Sequence, residues 1–226
     1  DISLAPGPLD TRLRYLDAHF EASYQNINSR LWHSNIHGGA GAGAAQALSD
    51  NDYVASIQTS LTMSHNHQIN ASTNLITTLS GHTARSESYF QIFPAGFKAG
   101  STTFTQGYIG KPITEDSNYL ASMRIVYNGF SEHTLTTEIG YRYTEEVTEE
   151  FKNFGQGVLD GSETTQDNSL TSVKNTPHIY APDSKRQQQY VLLQDEWLFA
   201  NDWELTAGLR LDHYSDFGTT INPRIA

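Results

Sequence analysis

The sequence of 226 residues contains no cysteine. This absence excludes disulfides, thiol catalysis and zinc or iron–sulfur sites built on cysteine. Basic residues are also few, since 14 Lys and Arg stand against 25 Asp and Glu and the formal net charge is -11. Because nucleic-acid binding needs clustered Lys and Arg, we expect no nucleic-acid partner. No apolar run reaches the ~18 residues of a candidate transmembrane helix.

What the sequence does contain is a high aromatic fraction and frequent alternation. Aromatic residues make up 11% of the chain, which argues against intrinsic disorder. Apolar and polar residues alternate with period two, as in strands that have two different faces. The clearest case is residues 203–212. About nine strands are predicted in this way, over residues 11–24, 29–37, 53–64, 69–79, 117–128, 134–143, 187–200, 203–212 and 219–226.

The lengths of strands and connections favour a membrane barrel over a soluble sandwich. Several runs reach about 10–14 residues, whereas a usual strand has about 5–6 and a bilayer needs about 9–11. Connections alternate between short and long, as in outer-membrane barrels; the turn near 214–218 is short where a long loop is expected. We predict short turns near 25–28, 65–67, 128–132 and 200–202, and long connections near 38–52, 83–116 and 148–186.

Aromatic residues lie beside the predicted short turns. This is where an aromatic girdle at a membrane interface would place them, although aromatic residues also end strands in other β-proteins. The residues concerned are Tyr24, Tyr127, Phe130, Phe199 and Trp203.

Charged residues on the polar side of the alternating strands are candidates for a barrel lumen. There they would contact a plug or line a wet channel, with charges pairing across strands. No Ser-His-Asp or paired-carboxylate spacing stands out among them, so we expect no enzymatic activity. The lumen-facing candidates are Asp17, His19, Glu21, Glu138, Arg142, Glu204, Arg210 and Asp212.

Two further motifs are not predicted to bind anything. Gly38 to Ala45 reads GGAGAGAA but lacks the strand–helix context of a dinucleotide loop. His65-Asn66-His67 supplies too few ligands for a zinc site. We therefore predict neither a cofactor nor a metal site.

The predicted loop at 83–116 is rich in aromatic residues. Recognition often lies in loops on a rigid scaffold, and aromatic side chains give large contact areas. The alternative is that these residues pack the loop on itself. The ligand-loop candidates are Tyr89, Phe90, Phe93, Phe97, Phe104 and Tyr108.

Residues 189–226 resemble the barrel of TonB-dependent outer-membrane receptors. They contain Gln-Asp-Glu-Trp at 194–197, Leu-Thr-x-Gly-x-Arg-x-Asp-x-Tyr at 205–214 and Asn-Pro-Arg at 222–224. The similarity extends over nearly the whole chain, with supporting segments at 4–12, 41–49, 90–96 and 127–154.

The resemblance implies an antiparallel transmembrane β-barrel in the bacterial outer membrane, with long extracellular loops and short periplasmic turns. It implies active uptake of a scarce ligand such as a ferric siderophore, haem or cobalamin, and no enzymatic cofactor. The implied partners are outer-membrane lipid, the receptor's own plug domain and, through the plug, the TonB complex. Such receptors have about 22 strands. Residues 1–226 are thus expected to form a partial barrel without the plug, the first strands or the C-terminal strands.

Two other classes of protein stay open at this point. One is a soluble or surface-exposed β-sandwich binding module, such as an adhesin or lectin. The other is a passive porin without a plug. Strand length and the alternation of connections argue against the sandwich, and they do not separate a receptor from a porin.

Overall fold

A computed structural model describes residues 5–41, 48–100, 102–155 and 169–226. In this part of the chain, no helix is long and apolar enough to cross a membrane. Residues 42–47, which include the second half of the GGAGAGAA motif, lie outside the described residues. The strands are β1 Leu13–Tyr24, β2 Ile27–Gly39, β3 Tyr53–Asn70, β4 Thr73–Phe93, β5 Phe97–Ala99, β6 Thr102–Phe104, β7 Tyr108–Tyr127, β8 His133–Lys152, β9 Thr171–Ser172, β10 Ser184–Ala200, β11 Trp203–Tyr214 and β12 Gly218–Ile225.

Ten of these strands form one antiparallel sheet, and nine of them follow one another in the order β1-β2-β3-β4-β7-β8-β10-β11-β12. This confirms the predicted all-β, up-and-down architecture. The short strand β9 pairs with β8, and β5 and β6 form a separate small hairpin between β4 and β7. The sheet does not close on itself, because β1 and β12 are its two edges.

The predicted turn at 65–67 is wrong. The strand β3 continues through these residues to Asn70, and the turn lies at 71–72. His65 and His67 occupy the same face as Met63 and Ile69, and their rings stack with centroids 6.0 Å apart. The alternation therefore continues through residues 65–67, but two histidines on the apolar side made both faces look polar.

The predicted long connections are present but shorter than expected. The strand β4 runs to Phe93 and β7 begins at Tyr108, so most of 83–116 is strand; β8 likewise extends to Lys152 and β10 begins at Ser184. Polar residues occupy both faces in these extensions, as in Ser86-Glu87-Ser88, so the period-two signal disappears. The connections still alternate, with short turns at one end at 25–26, 71–72, 128–132 and 201–202.

The register divides the sheet into two different faces, because directly paired residues point to the same side. One face, called the outer face below, carries large apolar side chains that no other element covers: Leu79 and Ile139 are each 54% exposed and Leu193 is 59% exposed. Further exposed apolar residues on this face are Leu16, Phe20, Leu31, Ile57, Leu61, Met63, Met123, Val191, Leu209, Leu211 and Ile221. The opposite face is called the polar face.

One residue of the strand β10 is an exception to this division, because its charged side chain lies on the apolar outer face. Asp195 lies on the outer face among Val191, Leu193 and Trp197. Its carboxylate is 2.9 Å from Nδ1 of His133, and the His133 ring stacks on Trp197 with centroids 5.5 Å apart. The carboxylate is thus paired beside the short-turn end, where rings of Tyr127, Phe130, Phe199 and Trp203 also lie.

Candidate functional site

All eight charged residues predicted for the lumen share the polar face. In β1 they are the odd-numbered residues, and in β8 and β11 they are the even-numbered ones, as the cross-strand register requires. They are Asp17, His19, Glu21, Glu138, Arg142, Glu204, Arg210 and Asp212. The polar face is therefore our candidate functional site.

At the centre of the polar face lies the carboxylate of Glu138, whose side chain is only 9% exposed. Its cross-strand partner Arg124 places Nη2 at 2.6 Å from Oε2, and the hydroxyl of Tyr190 donates to Oε1. Gly140 lies directly opposite Tyr190, and a Cβ at this position would fall 2.4 Å from the tyrosine ring. Glycine at 140 thus lets Tyr190 reach Glu138, and this buried charge has two strong partners.

A second buried carboxylate, that of Asp212, lies two strands away. Nη2 of Arg210 is 2.9 Å from Oδ1, while the side-chain amides of Gln188 and Asn222 donate to the same carboxylate at 2.7 and 3.1 Å. The guanidinium of Arg210 also lies 3.9 Å from the centroid of the Tyr190 ring. This cation–π contact joins the two clusters, so a continuous polar network crosses from β7 to β12.

The other lumen candidates lie outside this network. Near the edge strand β1, Nε2 of His19 is 2.7 Å from Asp17 and Nε of Arg30 is 2.9 Å from Glu21. These pairs are exposed and contribute little to stability. Glu204 is exposed at the start of β11.

Arg142 differs from all of these residues. Its Nε atom is buried and has no hydrogen-bond partner. A cavity of about 250 Å³ on the polar face is lined by Arg142, Thr144, Arg186, Gln188 and Tyr214.

The aromatic residues predicted to contact ligand take up three kinds of position. Phe93, Phe97, Phe104 and Tyr108 pack on one another, with Phe93 and Phe97 stacked at 4.1 Å, and Phe104 is only 2% exposed. Tyr108 also stacks on Phe154 at 4.0 Å. This aromatic cluster holds the β5–β6 hairpin against the ends of β7 and β8.

The two remaining ligand-loop candidates point to opposite faces. Tyr89 stacks on Tyr53 of the neighbouring strand at 5.8 Å, on the outer face. Phe90 lines a cavity of about 370 Å³ at the loop end of the polar face. Its other lining residues include Pro112, Phe154, Tyr180 and Glu150. The cavity, called the mouth cavity below, combines aromatic walls with a few polar groups, as small-molecule sites do.

A third charged cluster lies on the outer face, beyond the apolar residues and towards the loop end. Glu87 accepts a hydrogen bond from the Tyr53 hydroxyl at 2.6 Å, and its carboxylate is 2.9 Å from Nζ of Lys111. Arg85 bridges Glu87 and Glu115. The hydrogen bonds from Tyr53 and Lys111 lower the pKa of Glu87 to about 2. Burial and the same hydrogen bond raise the pKa of Tyr53 to about 12.

Sequence reasoning missed several residues of the polar network. Arg124, Tyr190 and Gln188 take part in it, yet none stood out in the alternation pattern. The available signal was the tight turn between β7 and β8, which fixes the register and places Arg124 opposite Glu138. Tyr190 was hidden because Asp195 lies among the apolar residues of β10, so the alternation alone does not separate the two faces of this strand. Within the described residues, no group of three or more His, Asp or Glu is arranged to hold a metal ion.

Comparisons with known proteins agree with this geometry. The chain is similar in fold to the unliganded ferric citrate transporter FecA, with a TM-score of 0.55 and 15% identity over 96% of this chain and 32% of that one. It is also similar to the siderophore receptor PirA from Pseudomonas aeruginosa, with a TM-score of 0.42 and 13% identity over 99% of this chain and 37% of that one. The chain therefore spans about a third of the length of these solved structures. No curated protein matches its sequence.

A family model described as "TonB dependent receptor-like, beta-barrel" matches residues 6–226. The match includes the segments that carried the resemblance from residue 189 onwards and every strand of the sheet. The chain belongs to the TonB-dependent receptor β-barrel family.

Proposed function

We propose that this chain is part of the wall of an outer-membrane receptor that imports a ferric siderophore or similar scarce ligand with energy supplied through TonB. The family consists of transport receptors and not of enzymes, and its barrels lie in the outer membrane. The single observation that carries the proposal is the division of the sheet into an uncovered apolar face and a polar face with buried, paired charges.

The outer face suits contact with lipid. Leu79, Ile139 and Leu193 are more than half exposed, whereas a sandwich would bury such a face against a second sheet. Barrels in the outer membrane present an apolar band of about 25 Å to the lipid, flanked by aromatic residues. The aromatic residues beside the short turns mark the periplasmic border in this proposal. The charged cluster around Glu87 then lies beyond the opposite border.

The polar face suits the inside of a receptor. We propose that the eight lumen candidates face a plug domain or a wet passage, where the paired charges of Glu138 and Asp212 hold the wall in one arrangement. The mouth cavity lies on the same face at the loop end, and Phe90 with Tyr180 forms part of its lining. We propose it as a first contact for the ligand. Phe93, Phe97, Phe104 and Tyr108 support the surrounding hairpin, and Tyr89 supports the outer face.

The proposal is tested in a bacterium that carries the full-length protein containing this chain. Accumulation of ⁵⁵Fe is measured for a panel of ferric siderophores, with the gene intact or deleted and with TonB present or absent. We expect uptake of at least one complex to require both the gene and TonB. Uptake that needs the gene but not TonB indicates a passive porin. If deletion changes the uptake of no ferric complex in the panel, the proposed iron substrate is wrong.

A further inference from the structure

Arg142 holds an unusual position among the cations of this chain. Within the described residues, it is the one Lys or Arg side chain that is neither exposed nor in an ion pair. Carboxylates outnumber cations by 25 to 14 in the sequence, so counter-charges are not scarce. The Nε atom of Arg142 is buried and has no hydrogen-bond partner, and a buried polar group without a partner is costly.

The residues that line the cavity together with Arg142 supply several hydrogen-bond donors. Arg186 is its diagonal neighbour on the next strand, because Arg142 pairs with Gln188 and Thr144 pairs with Arg186. Diagonal neighbours lie about 7–8 Å apart at Cα, within reach of long side chains. Nε and Nη2 of Arg186 bind Asp216, which leaves Nη1 for another acceptor.

The remaining residues of the cavity also offer hydrogen-bond donors. The Tyr214 hydroxyl accepts a hydrogen bond from the Gln188 amide at 3.1 Å, so its own proton is available to donate. Thr144 adds a second hydroxyl. Two guanidinium groups and two hydroxyls therefore face one cavity of about 250 Å³, and this donor set matches the acceptor oxygens of an oxyanion.

We propose that Arg142 and Arg186, with Tyr214 and Thr144, form a binding site for an oxyanion group of the imported ligand, such as a carboxylate. The inference rests on the proposed function and adds a ligand class and a location to it. The site lies on the polar face below the mouth cavity, at the level of Tyr141 and Tyr143 of β8.

The test uses the purified full-length protein in a zwitterionic detergent, with citrate and inorganic phosphate as separate probes in isothermal titration calorimetry. We expect at least one probe to bind the wild type and Arg142→Gln to weaken that binding about tenfold or more, which is ~1.4 kcal/mol. Arg142→Lys should restore part of the affinity, because Lys keeps the charge but not the planar fork. Tyr214→Phe should weaken binding by less than Arg142→Gln.

The matched control is Arg14→Gln, which removes the same charge from an exposed arginine on the outer face. Three results would each overturn the proposal: no binding of either probe to the wild type, unchanged affinity in Arg142→Gln, or an equal loss in Arg14→Gln. If Arg142→Gln leaves the affinity unchanged but lowers the thermal stability, the negative group that pairs with Arg142 belongs to the receptor itself, for example to its plug. Because binding is measured without transport, this outcome is independent of the ⁵⁵Fe experiment.

Discussion

Two carboxylates of this sheet have the same kind of partners in opposite settings. Glu138 on the polar face and Glu87 on the outer face each accept a hydrogen bond from a tyrosine hydroxyl and pair with a cation. Glu138 lies at the level of the apolar outer face, whereas Glu87 lies on that same outer face nearer the loop end. The outer face therefore changes from apolar to charged along the long strands β4, β7 and β8. In a receptor wall, that change marks where lipid ends.

The largest expected effect comes from placing a charge on the apolar part of the outer face. Ile139→Arg should lower the free energy of unfolding by about 2–4 kcal/mol, because a cation near the bilayer midplane is poorly solvated. Ser117→Arg, on the same face but nearer the loop end, should cost at most about 1 kcal/mol. Urea titration of the full-length protein in phospholipid vesicles measures both. Equal effects would contradict a lipid border between the two positions.

The next effect is expected at the buried carboxylate of the polar face. Glu138→Gln removes the buried charge that pairs with Arg124 and accepts a hydrogen bond from Tyr190. The substitution should destabilise the protein by about 2–3 kcal/mol, because hydrogen bonds to a buried charged group are strong. The control Glu204→Gln alters an exposed carboxylate and should stay within about 0.5 kcal/mol. Thermal unfolding in detergent, followed by loss of β-sheet circular dichroism, compares the two. A Glu138 variant as stable as the control would show that the polar network around Glu138 does not stabilise the sheet.

A smaller effect is expected at Glu87, and it depends on pH. Glu87→Gln should cost about 1 kcal/mol at pH 7. The folded-state pKa of Glu87 is lowered from 4.5 to about 2, so its contribution is fully present above about pH 4.5 and is lost as the pH falls towards 2. The stability difference between wild type and variant, measured by urea titration, should therefore shrink between pH 5 and pH 2. A difference that stays constant over this range would rule out the lowered pKa.

The smallest effect on the whole sheet is expected from the aromatic cluster at the loop end. Phe154→Leu removes the stacking on Tyr108 and should weaken attachment of the β5–β6 hairpin by about 1 kcal/mol. The barrel itself should unfold at an unchanged temperature. Limited proteolysis of intact cells, with mass spectrometry of the products, should show faster cleavage within residues 94–107. Unchanged cleavage would mean that the hairpin is held by other contacts.

The strand predictions are accurate where the outer face is apolar and fail where it becomes charged. The alternation identified the nine strands that follow one another in the sheet where one face is apolar, as in Trp203–Tyr214 of β11. It failed in the ends of β4, β7 and β8, where charged residues such as Glu87 and Glu149 occupy the outer face. Period two needs a contrast between faces, and no contrast is left beyond the apolar part.

The candidate site was predictable in its face but not in its contacts. The polarity of single strands placed Glu138, Arg210 and Asp212 on one side, and the register of the sheet agrees. The link through Tyr190 depends on the β8–β10 register across a connection of more than 30 residues, which no local pattern encodes. The unpaired state of Arg142 could not be predicted either, because it depends on which carboxylates lie within reach.

The unequal strand lengths have a consequence for how a solute arrives. The strands β4, β7 and β8 have 21, 20 and 20 residues, whereas β11 has 12. At about 3.3 Å per residue, a difference of eight residues corresponds to roughly 26 Å of strand. In the proposed receptor wall, the long strands screen the polar face from one direction of approach. If the chain forms the proposed receptor wall, we expect a diffusing ligand to enter over β11 and to move sideways towards the mouth cavity, so substitutions along β11 should alter the rate of capture before they alter the affinity.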